Sequence, residues 1–209
     1  MQVINAHAPE CLLSLPRPNA IFIGGGIATN GLFDQCWELL QEGGCLVTNV
    51  VTIEGEEILE DISNKKKQVI FVSGHFANFE LMSMEITKKK INLAAIYRPL
   101  NNFFLNFFME YLRKKYICKN QIKKGMAGTR QVIRNLKKGS SVALMIDQRV
   151  REGSKVKFFG NLATTTTIPA QIIKKYKCEV VPIYIERKEK YYFKMHISKP
   201  INVNTKKTT

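Results

Sequence analysis

Apolar residues recur along the chain in short runs broken by glycine, asparagine and charged positions, and the runs alternate between two periods. Ala20 to Ile23, Cys45 to Val51, Val69 to Val72, Leu93 to Ile96, Ser141 to Ile146, Val180 to Ile185 and Tyr191 to Ile197 have the length and apolar character of strands. Between them the spacing is helical: Gly31 to Gln41, Glu56 to about Asn64, Asn78 to about Lys88 with Phe79, Met82 and Ile86 on one face, about Asn102 to Tyr116, and Thr129 to about Lys138. A last helix follows Thr167, whose hydroxyl suits an N-cap with Pro169 in the first turn. The stretch between Ile146 and Thr167 reads as a long loop. Alternation of this kind predicts an α/β fold, a mostly parallel sheet flanked by helices on both faces. No internal repeat and no low-complexity linker interrupts it.

Composition adds bounds. At 209 residues with 45% hydrophobic side chains the chain can bury an ordinary core. Its five cysteines, Cys11, Cys36, Cys45, Cys118 and Cys178, are scattered and lack metal-ligand spacing, so the expectation is no metal and a reducing location. No apolar run approaches the roughly 20 residues of a membrane-spanning helix, and no export signal is visible.

Charge is divided unevenly. Residues 1–60 hold one basic side chain, Arg17, against eight acidic ones, whereas residues 61–209 hold the other 31 basic residues against nine acidic, a net of +22. A body that basic suits an anionic partner: nucleic acid, a phospholipid surface or an acidic carrier protein. Nucleic acid is disfavoured because the aromatics gather in one apolar segment, Phe103 to Leu112, rather than interleaving with basic residues. That segment is compatible with a buried core helix, an acyl groove or contact with membrane.

The candidate chemistry clusters where strands end. Val69 to Val72 runs into Ser73-Gly74-His75, and Glu80 follows five residues after the imidazole. On one regular helix that spacing would splay the side chains by roughly 140°. The two can meet only if His75 lies in a turn and Glu80 on the first helical turn, where a carboxylate can fix one ring nitrogen and leave the other as a general base. Two further clusters, Tyr97-Arg98-Pro99 and Asp147-Gln148-Arg149, also fall at expected carboxyl ends of strands, the usual place for a ligand crevice in an open α/β sheet. A base at His75, a cation at Arg98 and the Asp147/Arg149 pair suit attack of a hydroxyl on a carbonyl. A structural ion pair between Arg98 and Asp147 is the competing reading. Thr164 to Thr167 suits either phosphate binding or plain helix capping.

The blocks Val-Ser-Gly-His-Phe-Ala-Asn-Phe-Glu (72–80), Ile-Tyr-Arg-Pro-Leu-Asn-Asn (96–102), Asp-Gln-Arg-Val-Arg-Glu-Gly (147–153), Phe-Phe-Gly (158–160), Thr-Thr-Thr-Thr-Ile-Pro-Ala (164–170) and Val-Val-Pro-Ile-Tyr-Ile-Glu-Arg (180–187) resemble, in order and spacing, the lauroyl/myristoyl acyltransferases of lipid A biosynthesis. The resemblance covers about residues 56–209. It implies transfer of a fatty acyl chain from an acyl carrier protein thioester to a hydroxyl of a phosphorylated lipid A precursor, with no metal or organic cofactor. By motif position it implies His75 as general base, Glu80 as its orienting carboxylate, and Arg98, Asp147 and Arg149 as substrate-binding or transition-state residues. It further implies a peripheral place on the cytoplasmic face of an inner membrane, with acyl carrier protein, the precursor and an anionic lipid surface as partners. Family members also carry a hydrophobic anchoring helix and a tryptophan- and arginine-rich helical segment, neither of which is found in this sequence. Acylation of another glycolipid or phospholipid, or a non-catalytic lipid- or carrier-binding fragment, are the alternative expectations.

The beginning of the chain has a different likeness. Leu-Pro-Arg-Pro-Asn-Ala-Ile-Phe-Ile-Gly-Gly-Gly (15–26), Cys-Trp-Glu-Leu-Leu-Gln-Glu-Gly-Gly (36–44) and Leu-Val-Thr-Asn-Val-Val-Thr-Ile-Glu (46–54) resemble late strands of the decarboxylating precorrin methyltransferase, a class I S-adenosylmethionine fold. The glycine-rich turn that grips that cofactor is not found, and Gly24-Gly25-Gly26 lacks the spaced dinucleotide fingerprint. The expectation is therefore a composite: a strand-helix-strand, methyltransferase-like fragment over 1–56 and an acyltransferase-like core over 57–209, joined near Ile53 to Leu59.

Overall fold

A computed structural model describes residues 4–23, 29–48, 50–148, 150, 153–189 and 192–202. Gly24-Gly25-Gly26, Arg149 and the chain end from residue 203 lie outside the described residues. The chain divides into two compact units, one of residues 1–52 with 187–193 and one of residues 53–186 with 194–209.

The smaller unit contains a strand-helix-strand piece and, unlike the expected fragment over 1–56, ends at residue 52 and takes in residues 187–193. β1 (Ala20–Ile23) and β2 (Cys45–Thr48) pair in parallel, Ala20 opposite Cys45, with α1 (Leu32–Leu39) as the crossover. Alternation along the strands and helical spacing bury Ile23, Leu32 and Cys36 together, with Leu12, Ile21 and Leu46 packed around them. The strand expected over Cys45 to Val51 is instead two elements, β2 and β3 (Val50–Glu54).

In the larger unit α2 (Glu56–Asn64) precedes β4 (Val69–Ser73), whose first three side chains are at most 1% exposed. A strand so uniformly apolar belongs in the middle of a sheet covered on both faces. α3 (Glu80–Lys88), β5 (Leu93–Tyr97), α4 (Phe103–Leu112), β6 (Asn120–Lys123), α5 (Met126–Lys137) and β7 (Ser141–Met145) follow. After β8 (Ser154–Phe158) and β9 (Asn161–Thr165) come α6 (Ile168–Tyr176), β10 (Glu179–Glu189) and β11 (Tyr192–Ile197), the last two apart from their residues within 187–193. The sheet order is β3-β11-β10-β4-β7-β5-β6.

The sheet is mixed, which corrects the mostly parallel expectation. β10, β4, β7, β5 and β6 run parallel. β11 lies beside β10 after a connection too short for a parallel crossover, so that pair is antiparallel. Helices cover both faces. Ile70, Ala94, Val142, Leu144 and Val180 pack with Val132 and Leu136 of α5 and Ile172 and Ile173 of α6. On the other face Ser73 meets Met82 of α3.

Several boundaries differ from the periodicity for physical reasons. α4 gives way at Arg113 to a π-helical turn, Arg113–Ile117, rather than continuing regularly to Tyr116. α5 begins at Met126, ahead of the expected Thr129, because Gly128 lets its first turn press on β6: a Cβ there would stand 2.0 Å from the Lys123 carbonyl oxygen. The expected loop between β7 and α6 contains the antiparallel hairpin β8–β9. Phe159 and Gly160 at its tip have φ of 47° and 80°, the paired positive values of a tight hairpin turn. Thr167 precedes α6 without capping it; its hydroxyl accepts from the Gln171 amide, and the Ile168 N–H goes to the Thr166 hydroxyl.

Candidate active site

Three adjacent strands, β4, β7 and β5, deliver the candidate residues from their carboxyl ends. Ser73 pairs with Met145, and the Ile146 N–H donates to the Ser73 carbonyl at 2.9 Å, so the ladder persists one step past the strands. Two residues beyond that register stand His75 and Asp147. The Asp147 carboxylate takes both: Oδ2 accepts from the His75 backbone N–H at 2.8 Å, and Oδ1 lies 2.8 Å from His75 Nδ1. Gly74 makes the approach possible, since a Cβ there would meet the Phe76 ring at 2.8 Å and Asp147 Oδ2 at 3.2 Å. Phe79 braces the imidazole edge-on, with ring centroids 4.9 Å apart.

The imidazole tautomer follows from its neighbours. Lys124 Nζ lies 3.2 Å from Gln148 Oε1, and an ammonium can only donate, so the amide oxygen faces Lys124 and the amide nitrogen faces His75. That nitrogen is 3.4 Å from His75 Nε2, a long contact. A donor on that side makes Nε2 the acceptor and leaves the ring proton on Nδ1, directed at Asp147. Burial pushes the Asp147 carboxyl up, but hydrogen bonds from the His75 amide and ring outweigh it and leave it below the usual range.

Glu80 sits at the first residue of α3 and His75 in the preceding turn, as the spacing requires, but the carboxylate has a different partner. Glu80 Oε1 accepts from Arg113 Nε at 2.9 Å and also from Nη2. Asp147, rather than Glu80, is thus the carboxylate that meets the imidazole, and the Arg113 guanidinium at the start of the π-helical turn holds Glu80. Arg98 follows β5 and lines the same cavity, while Asp147 is engaged by His75.

That cavity encloses about 230 Å³. His75, Glu80, Arg98, Arg113, Lys124 and Gln148 supply its polar lining, and Phe79, Ile96, Leu144, Val150, Ile168 and Pro169 much of its apolar wall. A smaller cavity of about 40 Å³, with Ser83, Ala95, Ile117 and Ala143, shares Phe79, Glu80, Tyr97 and Arg113 with it. Arg113 Nη1 is buried without a hydrogen-bond partner. Among the described residues no group of His, Cys, Asp and Glu side chains converges as a metal site, and no helix is long and apolar enough to cross a membrane.

Arg113 and Lys124 lie outside the clusters marked by the sequence, and Gln148 falls inside one without a role of its own. Gln148 adjoins Asp147 and was within reach of the strand-end argument; Arg113, 33 residues from Glu80, had no local signal.

A second polar knot supports the floor. Glu110 of α4 binds Lys123 at 2.9 Å, accepts from Asn106 at 2.8 Å and pairs with the Tyr97 hydroxyl. Lys123 foremost, then Tyr97, hold the Glu110 carboxyl down to about 2 from an ordinary 4.5. Burial, then the Glu110 hydrogen bond, raises the Tyr97 phenol. A depressed carboxyl stabilises the fold above its unfolded pKa, and that contribution is lost as pH falls toward the folded value. Glu110→Gln is therefore expected to cost about 1–2 kcal/mol near neutral pH, after allowance for solvent screening. In urea denaturation the difference from the parent chain should shrink as pH falls from about 4.5 toward 2.

Comparison with known proteins identifies two likenesses. A family model described as bacterial lipid A biosynthesis acyltransferase matches residues 46–209, and one described as precorrin methyltransferase domain matches residues 1–85. Residues 46–85 fall within both. The N-terminal part is 44% identical over 61 residues to the decarboxylating precorrin-6Y C(5,15)-methyltransferase of Sinorhizobium sp, covering 29% of this chain and 15% of that protein. It is 41% identical over 56 residues to the protein of the same name from Mycobacterium tuberculosis, covering 27% and 14% respectively. The chain thus spans about one seventh of the length of these relatives, and its two likenesses make it a composite.

Proposed function

Because the chain belongs to the bacterial lipid A biosynthesis acyltransferase family, matched over residues 46–209, we propose that it transfers a fatty acyl group from an acyl carrier protein thioester to a hydroxyl of a phosphorylated lipid A precursor. The observation that carries this reading is the His75–Asp147 pair, 2.8 Å apart, opening onto a cavity with apolar walls and basic side chains.

In the proposed step His75 Nε2 takes the proton of the acceptor hydroxyl as its oxygen bonds to the thioester carbonyl carbon. Asp147 holds Nδ1–H and stabilises the imidazolium. Negative charge on the carbonyl oxygen is met by the guanidiniums lining the cavity, Arg98 or the unpartnered Nη1 of Arg113. The tetrahedral intermediate then collapses, the C–S bond breaks, and the departing sulfur takes the proton from His75. Atoms and charge balance without a metal or organic cofactor. The apolar wall suits the acyl chain, and Arg98 and Lys124 suit a phosphorylated acceptor. A carrier protein rich in acid and an anionic leaflet at the cytoplasmic face of an inner membrane complement the basic residues beyond position 60.

The test is an assay by mass spectrometry, with acyl carrier protein loaded with lauroyl or myristoyl and a lipid A precursor dispersed in detergent. The expected result is one added acyl chain on the precursor, in step with release of free carrier thiol. Thiol release without an acylated precursor would sink the acceptor assignment, and neither product would sink the reaction.

A further inference from the structure

Helix α4 is reversed relative to an ordinary surface helix, whose apolar stripe faces the core. Its inward contacts are polar: Asn106 and Glu110 bind each other, Glu110 binds Lys123 and Tyr97, and Arg113 at its end binds Glu80. At about 100° per residue Phe104, Phe107, Phe108 and Tyr111 fall within one arc of about 100° on the other side. Phe104 and Phe107 are 84% and 75% exposed, and Phe108 and Tyr111 more than half exposed. The stripe continues to Lys115, whose Nζ lies 3.1 Å from the Tyr111 hydroxyl, beside an exposed Lys114.

A second element repeats this chemistry. The β8–β9 hairpin exposes Phe158 at the end of β8 and Phe159 in the turn, the latter by 90%, and β8 also exposes Lys155 and Lys157. Arg113, directly after α4, and Thr166, directly after β9, line the same cavity, so the C-terminal end of each element leads into the candidate active site. Clustered exposed aromatics mark an interaction surface, and a lysine border sets the sign of its partner.

We propose that the aromatic stripe of α4, with the β8–β9 hairpin as a second contact, docks on a lipid bilayer bearing anionic headgroups and brings the cavity to its amphiphilic substrate. The proposal rests on the acyltransfer reading for its purpose but not for its evidence. A bilayer fits better than a second copy of the chain, because a two-fold contact would set these lysines against themselves, whereas anionic headgroups neutralise them. Aromatic rings enter the headgroup boundary while lysine ammoniums remain at the phosphates.

The experiment is co-sedimentation of the full chain with vesicles of phosphatidylcholine containing about one third phosphatidylglycerol, and with pure phosphatidylcholine. The parent chain should bind the anionic vesicles more tightly. Phe107→Ser/Phe108→Ser should weaken that binding about tenfold or more, with unchanged thermal unfolding because the rings are exposed in the folded chain. Lys114→Gln/Lys115→Gln should remove about fivefold of the anionic preference per lysine. Absence of parent binding, equal binding by the phenylalanine variant, or a parent dimer in light scattering that this variant dissociates would each overturn the proposal. Transfer to acceptor in detergent micelles separates the two readings. If the parent shows no transfer while the phenylalanine variant still loses vesicle binding, docking stands and acyl transfer falls; normal micellar transfer with unchanged vesicle binding removes docking alone.

Discussion

Asp147→Asn is expected to slow acyl transfer by about two to four orders of magnitude, approaching the loss from His75→Ala, with little change in the KM for the acyl donor. The reason is the proton position on the ring. Asp147 offers one oxygen to the His75 backbone N–H and the other to Nδ1. Asparagine keeps a single oxygen; held by the backbone N–H, it turns its amide N–H toward Nδ1. That nitrogen must then accept, the ring proton moves to Nε2, and the atom facing the cavity is no longer a base. Glu80→Gln retains an oxygen for Arg113 and is expected to cost less than about tenfold in rate. Steady-state transfer measured for the three variants decides the roles. Near-parental turnover by Asp147→Asn, together with collapse in Glu80→Gln, would return the orienting function to Glu80.

Much of this site was legible because it depends on strand ends. Val69 to Ser73 is an apolar run stopped by Gly74, and Ser141 to Met145 is another stopped by Asp147. Once two such runs pair in parallel, the residues just past them must be neighbours, which places His75 beside Asp147 through backbone register alone. The partner of Glu80 has no such origin. Arg113 reaches it from the first residue of the π-helical turn after α4, 33 residues away in sequence, and nothing in the apolar spacing from Asn102 to Tyr116 distinguishes that turn from regular helix. The same limit hid β6 and the β8–β9 hairpin. Asn120–Lys123 is a sheet-edge strand with one buried apolar side chain, Ile122, and β8 is exposed throughout, so neither carries a burial pattern to read. The apolar character of α4 was plain, but its direction was not. It is set by Glu110 and Asn106 binding inward, a side-chain arrangement that periodicity reads in the opposite sense.

Glu80→Ala is expected to be the most destabilising single change around the cavity, lowering stability by about 2–4 kcal/mol. Arg113 has a side chain only 12% exposed and gives Glu80 two of its nitrogens, while the third, Nη1, already has no hydrogen-bond partner. Removing the carboxylate leaves a largely buried guanidinium without its charge partner, beside the Tyr97 ring 5.4 Å away. Breaking one side of a buried pair costs more than replacing both, so Glu80→Leu/Arg113→Leu should be milder than Glu80→Ala despite removing more polar atoms. In thermal unfolding the single variant should fall by roughly 5–15 °C and the double variant by less, a sign of coupling between the two positions. Additive losses would mean that the pair is screened by water and that Arg113 is available to substrate in the resting protein. The predicted non-additivity instead makes Glu80 the group that holds Arg113 at the cavity wall.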